Sequence, residues 1–504
     1  MQILLANGTC ISPDSRADGT YCLKSAIFYI HTINFFNMPA FVFRSLGVTS
    51  LCLVLSACAV VMPPAQVTSE VAEQWHAPLP HHGAVAELSH WWQQQGDTVL
   101  VDFIQAAQQV SPTLAAAVSR VEAARASQVT AGAVLLPQVS ATLGAGRGVS
   151  QPAVPVATSL QGGFQAAWEL DLVGANRAVS RAALAQLEGS QAQWHDARVS
   201  IAAEVALVYY GLSSCYKQLQ VLHKDALSRG QTAQVAELGV KAGFVAAPVA
   251  ALARASAAEG RARESQQAAA CDISIKALVA LTGLPEPQVR EKMISAQAAA
   301  APVIGLAFGS VPAQTIAQRP DIYVAERDVV VASAQVGSAK AQRYPRLTLN
   351  GSVGTLRYSS MGVNTDLDTW SFGPLALNLP IFDGGQRAAN VDLAQKRYTE
   401  AVSVYRAKVR QAVREVEETL VNLQSIQARA LDADIAAKGY AESLQATHTR
   451  YAQGFASLTD LEESRRITLA AEFALLSLDL ERKRAWVALY RALGGGFVPQ
   501  SDSI

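Results

Sequence analysis

The sequence predicts a mainly α-helical chain of long antiparallel coiled-coil hairpins that also carries four short membrane β-strands. Three observations predict it. Proline and glycine punctuation recurs at offsets of 208 to 211 residues, the hydrophobic period changes to two after each helix-ending proline, and one long segment keeps a seven-residue apolar repeat.

Ser111-Pro112-Thr113-Leu114 opens one amphipathic helix and Arg319-Pro320-Asp321-Ile322 opens another, 208 positions later. Proline suits a helix start, where an N–H has no partner to lose. These helices are expected to run about 24 residues, to Leu136-Pro137 and to Tyr344-Pro345, because proline cannot continue a helix and pushes its predecessor into extended geometry.

Beyond each proline the pattern alternates, with Val139, Ala141 and Leu143 in the first copy and Leu347 and Leu349 in the second. A Gly- and Ser-rich loop and a second strand follow, over Phe164 to Leu172 and over Trp370 to Phe382. The strands close at Val173-Gly174-Ala175-Asn176-Arg177 and at Asp383-Gly384-Gly385-Gln386-Arg387. An uninterrupted helix comes next. In the second copy Val402, Val409, Val416, Leu423 and Ala430 recur every seven residues, with Tyr405, Ala412, Thr419 and Ile426 between them, which marks a coiled-coil seam. Each long helix reaches a glycine, Gly243 or Gly454, 211 apart, and a further helix runs back to Gly283 or Gly494. Glycine accepts the left-handed geometry that ends a helix, so each tip reads as a hairpin turn. Phe244 and Phe455, directly after the tips, are candidate exposed contacts for a partner, or else caps of their own hairpins.

Strands of about ten residues suit an outer membrane, where a tilted strand needs about 9 to 11. Four strands cannot close on themselves, and a sheet in lipid tolerates no edge. The chain is therefore expected to oligomerise, two copies supplying eight strands or three supplying twelve.

The chain has 504 residues, with Lys+Arg and Asp+Glu both at 41, which removes the electrostatic footprint of a nucleic-acid binder. The apolar stretch from about Phe41 to Met62 follows Met38 and reads as a signal peptide whose end, Leu55-Ser56-Ala57-Cys58, matches a lipoprotein processing site. Cys58 would become the lipidated N-terminus, the alternative being an uncleaved signal anchor or a chance cysteine after the apolar run; at about 0.8 kcal/mol per buried methylene, several acyl chains anchor a protein where one does not. The expected organisation is a spurious extension over 1–37, a signal over 38–57, a linker over 58–97, a first repeat over 98–290, a second over 311–496 and a tail over 497–504.

Cys215 and Cys271 are the cysteines beyond Cys58, lying 28 residues before and 28 after Gly243, so a hairpin turning there holds them at one height. They form a candidate disulfide in an oxidising compartment. Bridged Cα atoms are at most about 6.8 Å apart, whereas packed helix axes are about 8–10 Å apart, so only inward-facing cysteines on an alanine-lined contact could pair. Otherwise the two act as small apolar residues.

Trp91-Trp92 with Leu100-Val101-Asp102-Phe103-Ile104, Arg319-Pro320-Asp321-Ile322 with Ala325-Glu326, Tyr344-Pro345-Arg346-Leu347, Leu379-Pro380-Ile381-Phe382-Asp383-Gly384-Gly385 and Arg450-Tyr451-Ala452-Gln453-Gly454 together resemble the lipoprotein branch of the TolC family of outer-membrane efflux channels, over roughly residues 58 to 497. The resemblance implies a homotrimer with a shared twelve-stranded barrel and a twelve-helix periplasmic tunnel. It implies as partners a periplasmic adaptor protein that meets the hairpin tips, an inner-membrane pump and outer-membrane lipid. It also implies a periplasmic gate of acidic residues after the second tip, which maps onto Asp460 and Glu463, with Tyr451 before the tip. An acidic ring there would repel anions and gather cations; the alternative for Asp460 is a helix-start acid held by the helix dipole. Family members can carry an arginine two residues after the tip glycine, where this chain has Ala456, so a different latch is expected.

No enzymatic role is expected, since no nucleophile elbow, paired Cys-x-x-Cys or His-Glu-x-x-His is present. No metal or other cofactor is expected beyond the covalent N-terminal lipid: His76, His81, His82 and His90 have no regular ligand spacing. Gly144-Ala145-Gly146-Arg147-Gly148 reads as strand rather than phosphate loop. The rival to a channel is a lipid-anchored periplasmic coiled-coil scaffold without a pore, which leaves the four alternating segments unexplained.

Overall fold

The structure is a computed structural model that describes residues 60–69, 90–149, 155–298, 316 and 318–498. Positions 1–37, the signal over 38–57, Cys58, His76, His81 and His82 lie outside the described residues.

Among the described residues the first elements are α1 (Trp91–Gln94) and α2 (Thr98–Val110). The first repeat follows as α3 (Pro112–Ala133), β1 (Gln138–Gly148), β2 (Ala157–Leu170), α4 (Ala175–Lys241) and α5 (Ala247–Thr282), with α6 (Glu286–Ala298) after it. The second is α7 (Pro320–Ala341), β3 (Arg346–Ser360), β4 (Val363–Asn378), α8 (Gln386–Ala452) and α9 (Leu458–Ala492).

Local chemistry accounts for the boundaries. Both α3 and α7 have 22 residues and begin on a proline; Ser111 Oγ accepts from the Leu114 amide at 3.3 Å. The long helices α4 and α8 have 67 residues each and so run about 100 Å. Each starts after a left-handed glycine, Gly174 (φ +83°) or Gly385 (φ +91°). An aspartate receives the first free amides of each, Asp171 from Asn176 and Arg177, and Asp383 from Gly385 and Arg387. Along α8 the heptad residues Val409, Ala412, Val416, Thr419, Leu423 and Ile426 are buried.

In the half next to the sheet the helices lie in the order α3, α4, α7, α8, and in the far half in the order α5, α4, α9, α8. Near mid-length α9 ends where α7 begins. Arg319 joins them: its guanidinium donates to the Ala492 carbonyl (2.8 Å), to both carboxylate oxygens of Asp321 (2.9 Å each) and to Glu415 of α8 (2.8 Å). Gly494 passes so near α7 that a Cβ would stand 2.5 Å from the Gln318 carbonyl, which requires glycine.

The four strands form one antiparallel sheet in the order β1-β2-β3-β4. Alternation divides its faces. One bears Ala141, Phe164, Val353 and Trp370 in a continuous cross-strand row, flanked by Val139, Leu143, Trp168, Leu347, Leu349, Phe372, Leu375 and Leu377. The other bears the row Ser140, Gln165, Ser352 and Ser371, in which the Ser352 and Ser371 hydroxyls meet at 2.8 Å. This apolar-out, polar-in alternation fits a membrane barrel.

The strands are longer than the sequence suggests. β2 begins at Ala157 rather than Phe164 and β4 at Val363 rather than Trp370, because Gly, Ser and Thr stretches that read as loop are paired backbone here. The actual β3–β4 turn is two residues, Met361 (φ +51°) and Gly362 (φ +81°), the geometry that matches strand twist. β4 ends at Asn378, four residues short of the expected Phe382.

Two other boundaries shift. The range read as linker contains a core element: Trp91 stacks on Tyr490 at 4.9 Å and Trp92 meets the same ring edge-on. Phe497, expected in the tail, is buried between His195 and Tyr323.

Cys215 and Cys271 are joined across α4 and α5, with Cα atoms 5.6 Å apart and both cysteines buried. Denatured protein prepared without reductant should therefore show no titratable thiol from these two positions. Two thiols per mature chain would contradict the bridge.

Candidate functional site at the hairpin ends

The ends of the two hairpins remote from the sheet are built alike. In the first, the Gly243 amide donates to the Val240 carbonyl (3.0 Å) and the Phe244 amide to Gly239 (2.8 Å); in the second, Gly454 donates to Tyr451 (3.0 Å) and Phe455 to Arg450 (2.8 Å). Both glycines have φ +79°. This paired bonding satisfies the last carbonyls of a helix and needs a left-handed residue at the turn. It leaves Phe244 89% and Phe455 74% exposed at the tips.

Beyond the second tip, Ser457 and Asp460 form a reciprocal cap. Ser457 Oγ accepts from the Asp460 amide at 3.1 Å, and Asp460 Oδ2 accepts from the Ser457 amide (2.9 Å) and hydroxyl (2.7 Å). These bonds, the hydroxyl's first, hold the Asp460 carboxyl below the usual carboxylate range. Glu463 is paired with Arg466 at 2.5 Å, and that bond likewise lowers its carboxyl. Among the described residues Asp460 is in no ion pair at contact distance, and the positive charge acting on it is that of Arg450 before the tip. Both acids are exposed and lie on the side of α9 away from its buried stripe, Leu458, Leu461, Arg465 and Thr468. Tyr451 turns elsewhere: it packs on Leu458 and the alanines Ala233, Ala236, Ala250, Ala253 and Ala257, at the contact between the hairpins.

That contact holds a polar cluster the sequence reading missed. Arg229 of α4, 6% exposed, donates to Asp225 (2.8 Å), to Ser256 of α5 (2.6 Å) and to Glu462 of α9 (2.7 Å). Arg465, 3% exposed, donates to the other Glu462 oxygen (2.7 Å), to Ser228 Oγ (2.7 Å) and to Thr232 Oγ1 (2.9 Å). Glu462 thus receives both buried guanidiniums and binds α9 to α4 and α5. One signal was available: Arg465 falls in register with Leu458, Leu461 and Leu469, a charge within an apolar stripe.

The helix faces also separate an outer from an inner side. The α4 residues that pack under α1 and α2, such as Val205 and Tyr209, lie opposite Asp196, Ser200, Glu204 and Leu207. The latter face, with Lys408, Arg484 and Arg491, lines a recess of about 770 Å³ at mid-length. The segment 60–69 lies on the outer side near the sheet. Lys340 Nζ donates to the Val61 carbonyl (2.9 Å), Ser333 Oγ to Pro63 (2.6 Å) and the Tyr398 hydroxyl to Pro64 (2.8 Å).

A sheet with one apolar face, open at both edges and continued by helical hairpins built on 67-residue helices, defines a subunit of an outer-membrane channel with a long helical extension. The chain belongs to the outer membrane efflux protein family, whose pattern matches residues 103–284 and 311–495. It is 29% identical over 481 residues to the pyoverdine export outer membrane protein OpmQ of Pseudomonas aeruginosa, covering 91% of this chain and 98% of that one. It is also 29% identical over 479 residues to outer membrane protein OprJ of the same organism, covering 91% and 96%. Among solved structures, the outer membrane protein VceC of Vibrio cholerae superposes with a TM-score of 0.71 at 27% identity, covering 81% of this chain and 99% of that one. The chain is accordingly an outer-membrane channel component of tripartite efflux.

Proposed function

We propose that three copies close a twelve-stranded barrel, and that the resulting trimer is a passive conduit, lipid-anchored at Cys58, docking a periplasmic adaptor and an inner-membrane pump through its hairpin tips. The observation that carries this reading is the open four-stranded sheet with an apolar face. Unpaired backbone in lipid costs several kcal/mol per group, so the edges must meet other copies. The chain supplies channel wall and no chemistry; transport energy comes from the pump.

At the far end we assign Asp460 as the acid of the neck, with Glu463 muted by Arg466, and the Glu462 cluster as the latch that holds α9 against the first hairpin. Tyr451 supports that contact by packing, and Phe244 and Phe455 offer the adaptor apolar contacts. Purified trimers in planar bilayers test the neck. Asp460→Ala should lower cation preference and Glu463→Ala should change it less, because its charge is already paired. Equal ion selectivity in wild type and both variants would remove these acids from the neck.

The lipid anchor is supported by the placement of the chain at Val61, beside Lys340, the penultimate residue of α7 on the sheet side. Cys58→Ser should remove the acyl mass from the N-terminal peptide, read by mass spectrometry; an unchanged mass would defeat the assignment.

A further inference from the structure

The internal duplication fixes how one copy meets the next, an inference that rests on the three-copy reading above. In the first hairpin Val139 pairs with Ala166 and Ala141 with Phe164; in the second Leu347 pairs with Leu377 and Leu349 with Leu375. The two registers superpose with offsets of 208 for the first strand and 211 for the second, the same offsets that relate the prolines and the tip glycines. The hairpins are therefore one unit used twice. Inside the chain these units are joined by β2 and β3, with Leu170 opposite Leu347, Trp168 opposite Leu349 and Ala166 opposite Gly351. β1 and β4 are the two edges.

A ring built from such units has a junction between copies that is equivalent to the β2–β3 junction inside each copy, with β4 in the role of β2 and β1 in the role of β3. We propose that β4 pairs with β1 of the next copy in the register Ile381 opposite the partner's Val139, Leu379 opposite the partner's Ala141 and Leu377 opposite the partner's Leu143. β4 then continues three residues beyond Asn378 once the partner is present.

Two observations not used to set this register agree with it. Leu379 is 52% and Ile381 93% exposed past the end of β4, although their counterparts Trp168 and Leu170 lie in a paired strand. The register places both on the apolar outer face and gives their backbone a partner. The second concerns glycine. Gly163 and Gly354 stand opposite each other in the β2–β3 junction, and a Cβ on Gly163 would lie 2.6 Å from the Val353 carbonyl oxygen and 2.8 Å from the Gly354 Cα. β4 carries one extra residue relative to β2 at Gly373-Pro374, marked by the register shift between Leu349 and Gly351, so the offset there falls from 211 to 210. Gly163 falls on the two-residue step Gly373-Pro374, neither member of which pairs with β3, and Gly354 corresponds to the partner's Gly146. A glycine thus stands on each side of the seam at the level of the close approach inside the chain.

Cysteine cross-linking of full-length trimers in outer membranes tests the register. Directly opposed Cβ atoms lie about 4.5–5.5 Å apart, close enough for oxidation to join them. The chain carrying Ile381→Cys with Val139→Cys should give covalent trimers that survive boiling without reductant. The chain carrying Ile381→Cys with Ala141→Cys, slipped by two residues, should not, and the parent chain should run as a monomer. Leu377→Cys with Leu143→Cys repeats the test higher in the seam if the first pair prevents insertion. Unboiled trimers that cross-link through the slipped pair, or through neither matched pair, would overturn the register and leave the trimer standing. Absence of trimers from the parent chain would instead overturn the three-copy reading itself.

Discussion

Glu462→Ala should raise the resting conductance of the channel and loosen the hairpin end. Glu462 is the acid shared by Arg229 and Arg465, and both guanidiniums are buried. Removing one member of such a cluster leaves a charge in a low-dielectric contact without its partner, a change that costs about 3–5 kcal/mol. Asp225 remains on Arg229, but Arg465 keeps only the hydroxyls of Ser228 and Thr232 and the Ser228 carbonyl. The loss falls on Arg465 and so on the attachment of α9. Two measurements check it: single-channel conductance, which should rise, and hydrogen exchange over 458–468, which should quicken while the sheet stays protected. Glu462→Gln keeps an acceptor and should fall between wild type and alanine. Unchanged conductance and exchange in the alanine variant would show that the cluster does not hold the neck.

Gly163→Val should prevent barrel formation while leaving the helices formed. The added Cβ would meet backbone of β3, which cannot rotate away as a flexible side chain could. Overpacking of this kind costs about 1–3 kcal/mol where neighbours can yield, and more where they are backbone. In the proposed three-copy barrel the clash recurs three times in one closed sheet. The variant should lose its heat-modifiable trimer band in detergent and keep its helical circular dichroism. Gly351→Val is the control within an inner strand, since a Cβ there makes only one ordinary contact, 3.4 Å from the Ser371 carbonyl oxygen, and it should insert normally. Normal trimers from Gly163→Val would mean that the strands can separate at this point without harm.

Much of this architecture was legible because punctuation and period are local properties. Pro112 and Pro320 start helices, Gly243 and Gly454 end them, and a repeat of seven in α8 needs no partner to be recognised. The duplication made each reading twice, so the two helical hairpins and the existence of four strands followed from the chain alone. Equal counts on either side of Gly243 likewise put Cys215 and Cys271 at one height.

What the tertiary structure decided concerns which face of each element meets which neighbour. Height along a hairpin does not fix rotation about the helix axis, and only packing turned both cysteines inward to a Cα separation of 5.6 Å. Asp460 and Glu463 both read as acids of the gate, with a helix start as the alternative for Asp460; in the structure Asp460 does close a helix cap, and Glu463 is paired with Arg466. Glu462, one residue from Glu463, faces the other way into two arginines, one of them 233 positions distant in sequence. Strand ends were misread for a related reason: Gly, Ser and Thr favour loops in isolation, but a backbone that finds a partner strand along its whole length gains a hydrogen bond at each step and stays extended.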